Sequence, residues 1–208
     1  MEMNTRIQVE HRVTEMVTHT DLVGEMIRVA AGEVLSFSQD DIQLHGHAIE
    51  CRINAEMPEK NFMPSPGTIS QTHLPGGNGV RVDTAAYDGF EITPYYDSMI
   101  AKVIVLGRNR TEAIAKMRTA LEEMVVVGVQ TNLDFQYSIL ENETFCAGEA
   151  NTSFIERFLA GQHREFLDEL SAEMADAAAD LDFERAARIK ARIDTINSLT
   201  DKQHAVST

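Results

Sequence analysis

The first ten residues alternate without a break. Glu2, Asn4, Arg6, Gln8 and Glu10 fall on one side, and Met3, Thr5, Ile7 and Val9 on the other. A period of two is that of a β-strand, whose successive side chains point to opposite faces. The pattern therefore predicts a strand over 2–10 that presents one polar face. Such a register tolerates no slip, because a shift by one residue would turn every polar group to the other side.

A row of polar side chains is most simply a solvated face, but the order of these residues carries chemistry. Glu2 and Asn4 are oxygen-bearing groups two residues apart, a spacing suited to Mg²⁺, which takes few protein ligands and fills its shell with water and substrate phosphates. Arg6 offers a planar fork for a carboxylate-like or carbonate-like anion. Glu10, on the same predicted face, is placed to act as a general base on a bound acid such as bicarbonate.

Further along, Leu22, Val23, Met26, Ile27 and Ala30 share one helical face, with Thr20 as the expected N-cap and Gly32 as the stop. His47–Glu56 alternates again, with Ala48, Glu50, Arg52 and Asn54 against Ile49, Cys51, Ile53 and Ala55. Between Pro64 and Asp97, Pro- and Gly-rich punctuation separates short runs and predicts a small meander of strands. Met99–Leu106 reads as a strand. Thr111 is the expected cap of a helix carrying Ile114, Met117, Leu121 and Met124, Val125–Val129 is β-branched and extended, and another helix begins near Asn132. Strands and helices are grouped rather than regularly alternating, so residues 1–157 read as one α+β unit with antiparallel strands and packed helices.

With 43% hydrophobic and 25% charged residues the chain has globular proportions, and no apolar run reaches the roughly 18–20 residues of a membrane span. A net charge of −15 repels phosphate backbones and argues against direct nucleic-acid binding. Cys51 and Cys146 are isolated, with no His constellation that would mark a nucleophile, and there is no secretory leader pattern at the start. The expectation is a reducing, cytoplasmic setting. His45 and His47 could share a strand face, but they lack a third ligand at metal spacing.

Glu2-Met3-Asn4-Thr5-Arg6-Ile7-Gln8-Val9-Glu10-His11 with Val13-Thr14-Glu15 resembles the biotin carboxylase signature of acetyl-CoA, propionyl-CoA and pyruvate carboxylases. The likeness continues through Gly46–Glu56, Pro64-Ser65-Pro66-Gly67, Pro75-Gly76-Gly77, Gly79–Asp83 and Pro94–Lys102, to about Glu156. It implies the C-terminal part of an ATP-grasp enzyme that uses ATP and Mg²⁺ to convert bicarbonate to carboxyphosphate and then carboxylates biotin on a biotin carboxyl carrier protein. By resemblance, Glu2 and Asn4 belong to the metal site. Arg6, Gln8, the Val9 backbone and Glu10 hold bicarbonate, Glu10 deprotonates it, and Arg52 stabilises the biotin oxyanion. Asp97 and Lys102 are expected to support packing and loop geometry.

Arg12 stands where the family has proline, which removes a fixed φ after the site. The family's N-terminal domain and most of its ATP-holding groups precede the matched segment. Little or no turnover is therefore expected from these residues alone, and an N-terminal carboxylase portion is an expected partner, as is a second copy in a homodimer.

Beyond Gly161 the composition shifts to Ala, Asp, Glu and Arg without Pro or Gly. Apolar series at Phe166, Leu170, Met174, Ala177 and Leu181, and at Phe183, Ala186, Ile189, Ile193 and Ile196, flank a break at Asp180–Asp182. They predict an antiparallel helical hairpin over 162–200. Leu170–Arg188 resembles the UVR motif of excinuclease subunits B and C, which implies pairing with another UVR hairpin. An interaction module using this hairpin, with the remainder as scaffold, is the second functional expectation.

Overall fold

The computed structural model describes residues 3–179 and residue 190. It divides into two compact units, Met1–Glu149 and Ala150–Thr208. In chain order the first unit holds α1 (His11–Thr18), α2 (Leu22–Ala30), β1 (His47–Asn54), β2 (Glu56–Met57), β3 (Met63–Pro64), β4 (Gly67–Thr68) and β5 (Gln71–His73). Then come β6 (Val80–Thr84), β7 (Glu91–Ile92), β8 (Met99–Gly107), α3 (Arg110–Glu123), β9 (Val125–Val127), α4 (Leu133–Glu141) and α5 (Glu143–Ala147). The α+β expectation holds, and among the described residues every strand pair is antiparallel.

The main sheet has the order β1-β8-β6. Its register pairs Cys51 with Val103 and Val103 with Val82, which puts an apolar row on one face. The next row, Arg52–Lys102–Asp83, lies on the other face, followed on that face by Glu50–Ile104–Arg81. α3 covers the apolar face, and Ile53, Val103, Val105, Ala113 and Met117 are fully buried there. Hydrophobic burial of this kind, worth about 1.5–3 kcal/mol for each large side chain, is what orders the sheet. α1 lies over the polar face, where Arg12 and Glu15 meet Arg81 and Asp83.

Several sequence expectations are corrected. Residues 3–10 form no strand but an irregular segment that turns into α1. A strand needs ladder partners, and among the described residues none pairs with this segment, so its alternation is not used. The cap of α2 is Asp21, not Thr20: Asp21 Oδ1 accepts from Gly24 N at 2.9 Å, while Thr20 bonds Thr18. The cap of α3 is Asn109, whose Oδ1 accepts from Glu112 N at 3.0 Å, and Thr111 lies inside the helix.

The 64–97 region is not a meander. β4 pairs with β7, β5 with the distant β9, and β6 with β8. Gly128, after β9, has a φ of +110°, and a Cβ there would collide with the Thr68 carbonyl oxygen, so glycine is required where the chain passes β4.

The apolar side of α2 is uncovered: Met26 is 51% and Ile27 67% exposed, and Val29, Val34 and Leu35 beside them are exposed too. The side chain that α2 buries is Glu25, which accepts from Ser36 N and Oγ at 3.0 and 2.7 Å.

The second unit contains α6 (Phe154–Ala179), which begins before the predicted hairpin and runs through Gly161. The predicted turn at Asp180–Asp182 and, apart from Lys190, the rest of the hairpin lie outside the described residues. Among the described residues no helix is long and apolar enough to cross a membrane.

Candidate functional site

Arg52 owes its position to alternation. Its neighbours Cys51 and Ile53 are sealed into the core, so the guanidinium must leave the opposite face of β1. The same strand places Glu50 two residues back on that face. Arg52 Nη2 lies 3.2 Å from Glu10 Oε2, and Arg52 Nε is 3.8 Å from Glu50 Oε1. Glu10 arrives from the residue just before α1, where its carbonyl accepts from Val13 N at 3.0 Å. The base and the arginine singled out in the sequence are therefore brought together by a helix start and a strand.

The two members of this pair are about half exposed, at 50% and 56%, whereas the Glu50 side chain is only 6% exposed. Burial pushes the Glu50 carboxyl up from its ordinary value, the Lys102 and Arg52 charges pull it back, and Glu10 adds a further upward push. Glu50 Oε2 and His11 Nε2 are buried without a hydrogen-bond partner. Beside the exposed pair, then, is a buried carboxyl group 3.8 Å from the Arg52 Nε. An exposed guanidinium beside a carboxylate can receive an oxyanion and pass a proton from it, provided the anion displaces the internal pair.

The peptide that carries Arg52 is clamped from behind. The β1–β8 register shifts between Ile53 and Asn54. There the Asn54 N–H is taken by Asn132 Oδ1 at 2.9 Å, while Asn132 Nδ2 donates to the Arg52 carbonyl at 3.1 Å. Asn132 is 4% exposed. In the sequence it signals only the start of α4. Its amide reaches back 80 residues along the chain, and no local pattern announces that.

The remaining predicted residues are dispersed. Arg6 is exposed and donates to the neighbouring Ile7 carbonyl at 3.2 Å; among the described residues it makes no ion pair with Glu10. Gln8 and Val9 are half-buried at the turn into α1, and Gln8 O accepts from His11 N at 3.2 Å. Asn4 is exposed in the irregular segment, and Glu2 lies outside the described residues.

Among the described residues no group of three or more His, Cys, Asp or Glu could hold a metal ion. His45 and His47 engage different neighbours, His19 and Arg110 respectively. Asp97 Oδ1 accepts from Met99 N at 2.8 Å, a loop contact, and Lys102 lies 3.8 Å from Asp83 on the polar face.

Comparison with known proteins adds three matches. Residues 50–157 match the biotin carboxylase C-terminal domain, 1–38 the carbamoyl-phosphate synthase L chain ATP binding domain, and 164–199 the UvrB/uvrC motif. Biotin carboxylase 1 of Bacillus subtilis is 62% identical over 158 residues, 76% of this chain and 35% of that protein. The biotin carboxylase of Pseudomonas aeruginosa is 52% identical over 159 residues, 76% of this chain and 35% of that protein. Among solved structures, one close match is the biotin carboxylase domain dimer of Hydrogenobacter thermophilus 2-oxoglutarate carboxylase in complex with MgADP and bicarbonate. It superposes with a TM-score of 0.74 at 51% identity, over 75% of this chain and 34% of that one. The chain thus spans about a third of the length of the relatives it matches.

Proposed function

The chain belongs to the biotin carboxylase family through the C-terminal domain that occupies residues 50–157, and on that premise we propose that it contributes the bicarbonate-facing and biotin-facing side of an ATP-dependent biotin carboxylation site. The observation that carries the reading is the Arg52–Glu10 pair at 3.2 Å, formed between residues 42 positions apart. Glu10 accepts the bicarbonate proton, and Arg6, Gln8 and the Val9 backbone hold the anion. Arg52 stabilises the negative charge that develops on the biotin ureido oxygen, a role that suits a planar, permanently charged fork.

Glu2 and Asn4 would hold Mg²⁺, with phosphate oxygens and water completing its shell, as is usual for an ion that takes few protein ligands. The donor set fits a hard cation. ATP and Mg²⁺ bound there would supply activation of bicarbonate by phosphorylation. This chain's own residues bind the anion, move its proton and steady the biotin oxyanion.

The uncovered apolar side of α2 supports a further element of the reading. Exposed Met26, Ile27, Val29, Val34 and Leu35 make a surface that a larger body normally covers. The whole reaction therefore requires an ATP-holding carboxylase portion, in the same polypeptide or supplied separately. A biotin carboxyl carrier protein is the substrate-bearing partner, a second copy forms the homodimer, and the cytoplasm is the setting.

The test is bicarbonate-dependent ATP cleavage and biotin carboxylation, with the chain alone and mixed with an N-terminal carboxylase portion. Activity is expected on mixing, with Arg52→Ala and Glu10→Gln each lowering it by about 10²-fold or more. No activity in the mixture, or full activity in both variants, refutes the reading. The UvrB/uvrC match over 164–199 favours a second reading, in which the tail recruits another UVR hairpin. Pull-down by an isolated UVR hairpin tests it.

A further inference from the structure

Arg12, the residue at which this chain departs from the family's proline, lies in a closed ring of ion pairs. Its Nη1 donates to Glu15 Oε2 at 2.8 Å, and its Nε lies 2.6 Å from Asp83 Oδ2 as a close ion pair without hydrogen-bond geometry. Arg81 completes the ring, with Nη1 3.0 Å from Glu15 Oε2 and Nε 2.8 Å from Asp83 Oδ1. The ring is partly sheltered: the Glu15 side chain is 6% exposed, and Arg12 and Asp83 about one fifth. Charges so placed are screened by salt much less than surface pairs.

The ring also ties down α2, since Glu15 Oε1 accepts from Leu22 N at 3.0 Å. Asp83 shares its cross-strand row with Lys102 and Arg52, so the row spans all three strands of the sheet, about 10 Å from edge to edge. The start of α1 is thus anchored at both ends of that row. Glu10 meets Arg52 over β1, and Arg12, two residues on, meets Asp83 over β6.

We propose that Arg12 is a positioning residue: through its ring with Glu15, Arg81 and Asp83 it fixes the first turn of α1 across the sheet and thereby keeps Glu10 against Arg52. In place of a proline's fixed φ, the same stretch is held by one hydrogen bond to Glu15 and a charge contact with Asp83. The consequence for bicarbonate rests on the functional reading above; the geometric coupling does not.

The coupling is read from the Arg52 Nε–Hε resonance of the full chain in ¹⁵N–¹H spectra. In the parent, Glu10→Gln shifts this resonance. In the Arg12→Ala background the shift is lost, and it is lost again in Asp83→Asn, while α1 amides stay dispersed. Arg12→Lys, with charge but no fork, restores it only in part. An undiminished Glu10→Gln shift in Arg12→Ala overturns the proposal. Should that variant fail to fold, the same measurement on the similarly sized Arg12→Gln decides it.

A parallel titration with ¹³C-bicarbonate separates the two ideas. If the parent does not bind the anion, the functional reading fails while the Arg52 resonance still judges the ring. If the parent binds and Arg12→Ala binds equally well, the positioning role is refuted.

Discussion

Replacing Asn132 by alanine isolates what holds the Arg52 peptide in place. The amide is 4% exposed and serves two main-chain groups, the Asn54 N–H at 2.9 Å and the Arg52 carbonyl at 3.1 Å. The carbonyl keeps a second donor, Gln136 Nε2 at 3.4 Å, so its loss is partial. The Asn54 N–H sits at the register shift of β1 against β8 and has no such substitute among the described residues. An orphaned buried donor costs about 1–3 kcal/mol and a lost neutral hydrogen bond about 1 kcal/mol, so Asn132→Ala should destabilise the first unit by about 2–3 kcal/mol. For a unit of this size that is a drop of roughly 4–12 °C in Tm. Thermal unfolding followed by near-UV circular dichroism gives the magnitude, and hydrogen exchange of a peptide covering β1 gives the location, with faster exchange at Asn54 as the expected mark. A Tm within about 1 °C of the parent together with unchanged exchange in β1 would refute the reasoning, because Asn132 would then be no more than a helix start.

Two further outcomes follow from the titrating groups. For Glu15, burial raises the carboxyl but bonds and charge from Arg12, the Leu22 N–H and Arg81 more than compensate; for Asp83, burial is likewise outweighed by Arg81, Arg12 and Lys102, so both are held below the ordinary carboxylate range. Groups depressed in the folded state contribute stability that is present above their unfolded pKa and lost as pH falls through the folded one. Acidification below about pH 4 should therefore release α1 before the β1–β8 pairing, seen as loss of α1 amide protection while β8 stays protected; simultaneous loss would exclude the ring as the anchor. The Cys51 thiol is pushed up to about 12 by burial and by the Glu50 charge, whereas Cys146 is exposed. Iodoacetamide at about pH 8 should label Cys146 in the native chain and reach Cys51 only in denaturant, and mass spectrometry of the peptides would show labelled Cys51 without denaturant if the β1 core were open.

Where the sequence pattern and the packing agree, they agree because the apolar residues are truly buried. β1 and α3 are legible from period, since Cys51 and Ile53 recur at strand spacing and Ile114, Met117 and Leu121 at helix spacing and all enter one core, whereas β8 is legible as an apolar run whose Ile100, Ala101, Val103, Ile104 and Val105 are buried on both faces. The misplaced caps have a common cause. In both places a threonine lies near an Asp or Asn, and Asp and Asn are the stronger N-caps, their Oδ1 atoms accepting from Gly24 N and Glu112 N, so the helices start from those residues. The turns around Gly67, Gly79 and Gly89 were visible in the sequence, but turn residues say where a chain reverses and not which strand it joins, and β5 at Gln71–His73 found β9 at Val125–Val127, far along the chain.

The opening segment shows the same limit from the other side. Its alternation is perfect and Met3 is nonetheless 86% exposed, because period two stabilises nothing until a neighbouring strand takes its N–H and C=O groups. Glu10 can be singled out by chemistry and Arg52 only through the family resemblance, but their meeting depends on where α1 comes to rest, and that is decided by Arg12 and Glu15 against Arg81 and Asp83. A proline at position 12 would restrict the chain through covalent geometry, indifferent to salt and pH. An arginine there leaves φ free and holds the helix by charge instead, in a ring whose two carboxylates must both remain ionised. The substitution thus moves the rigidity of the site from a fixed torsion to an electrostatic network, and the site inherits the acid sensitivity of that network.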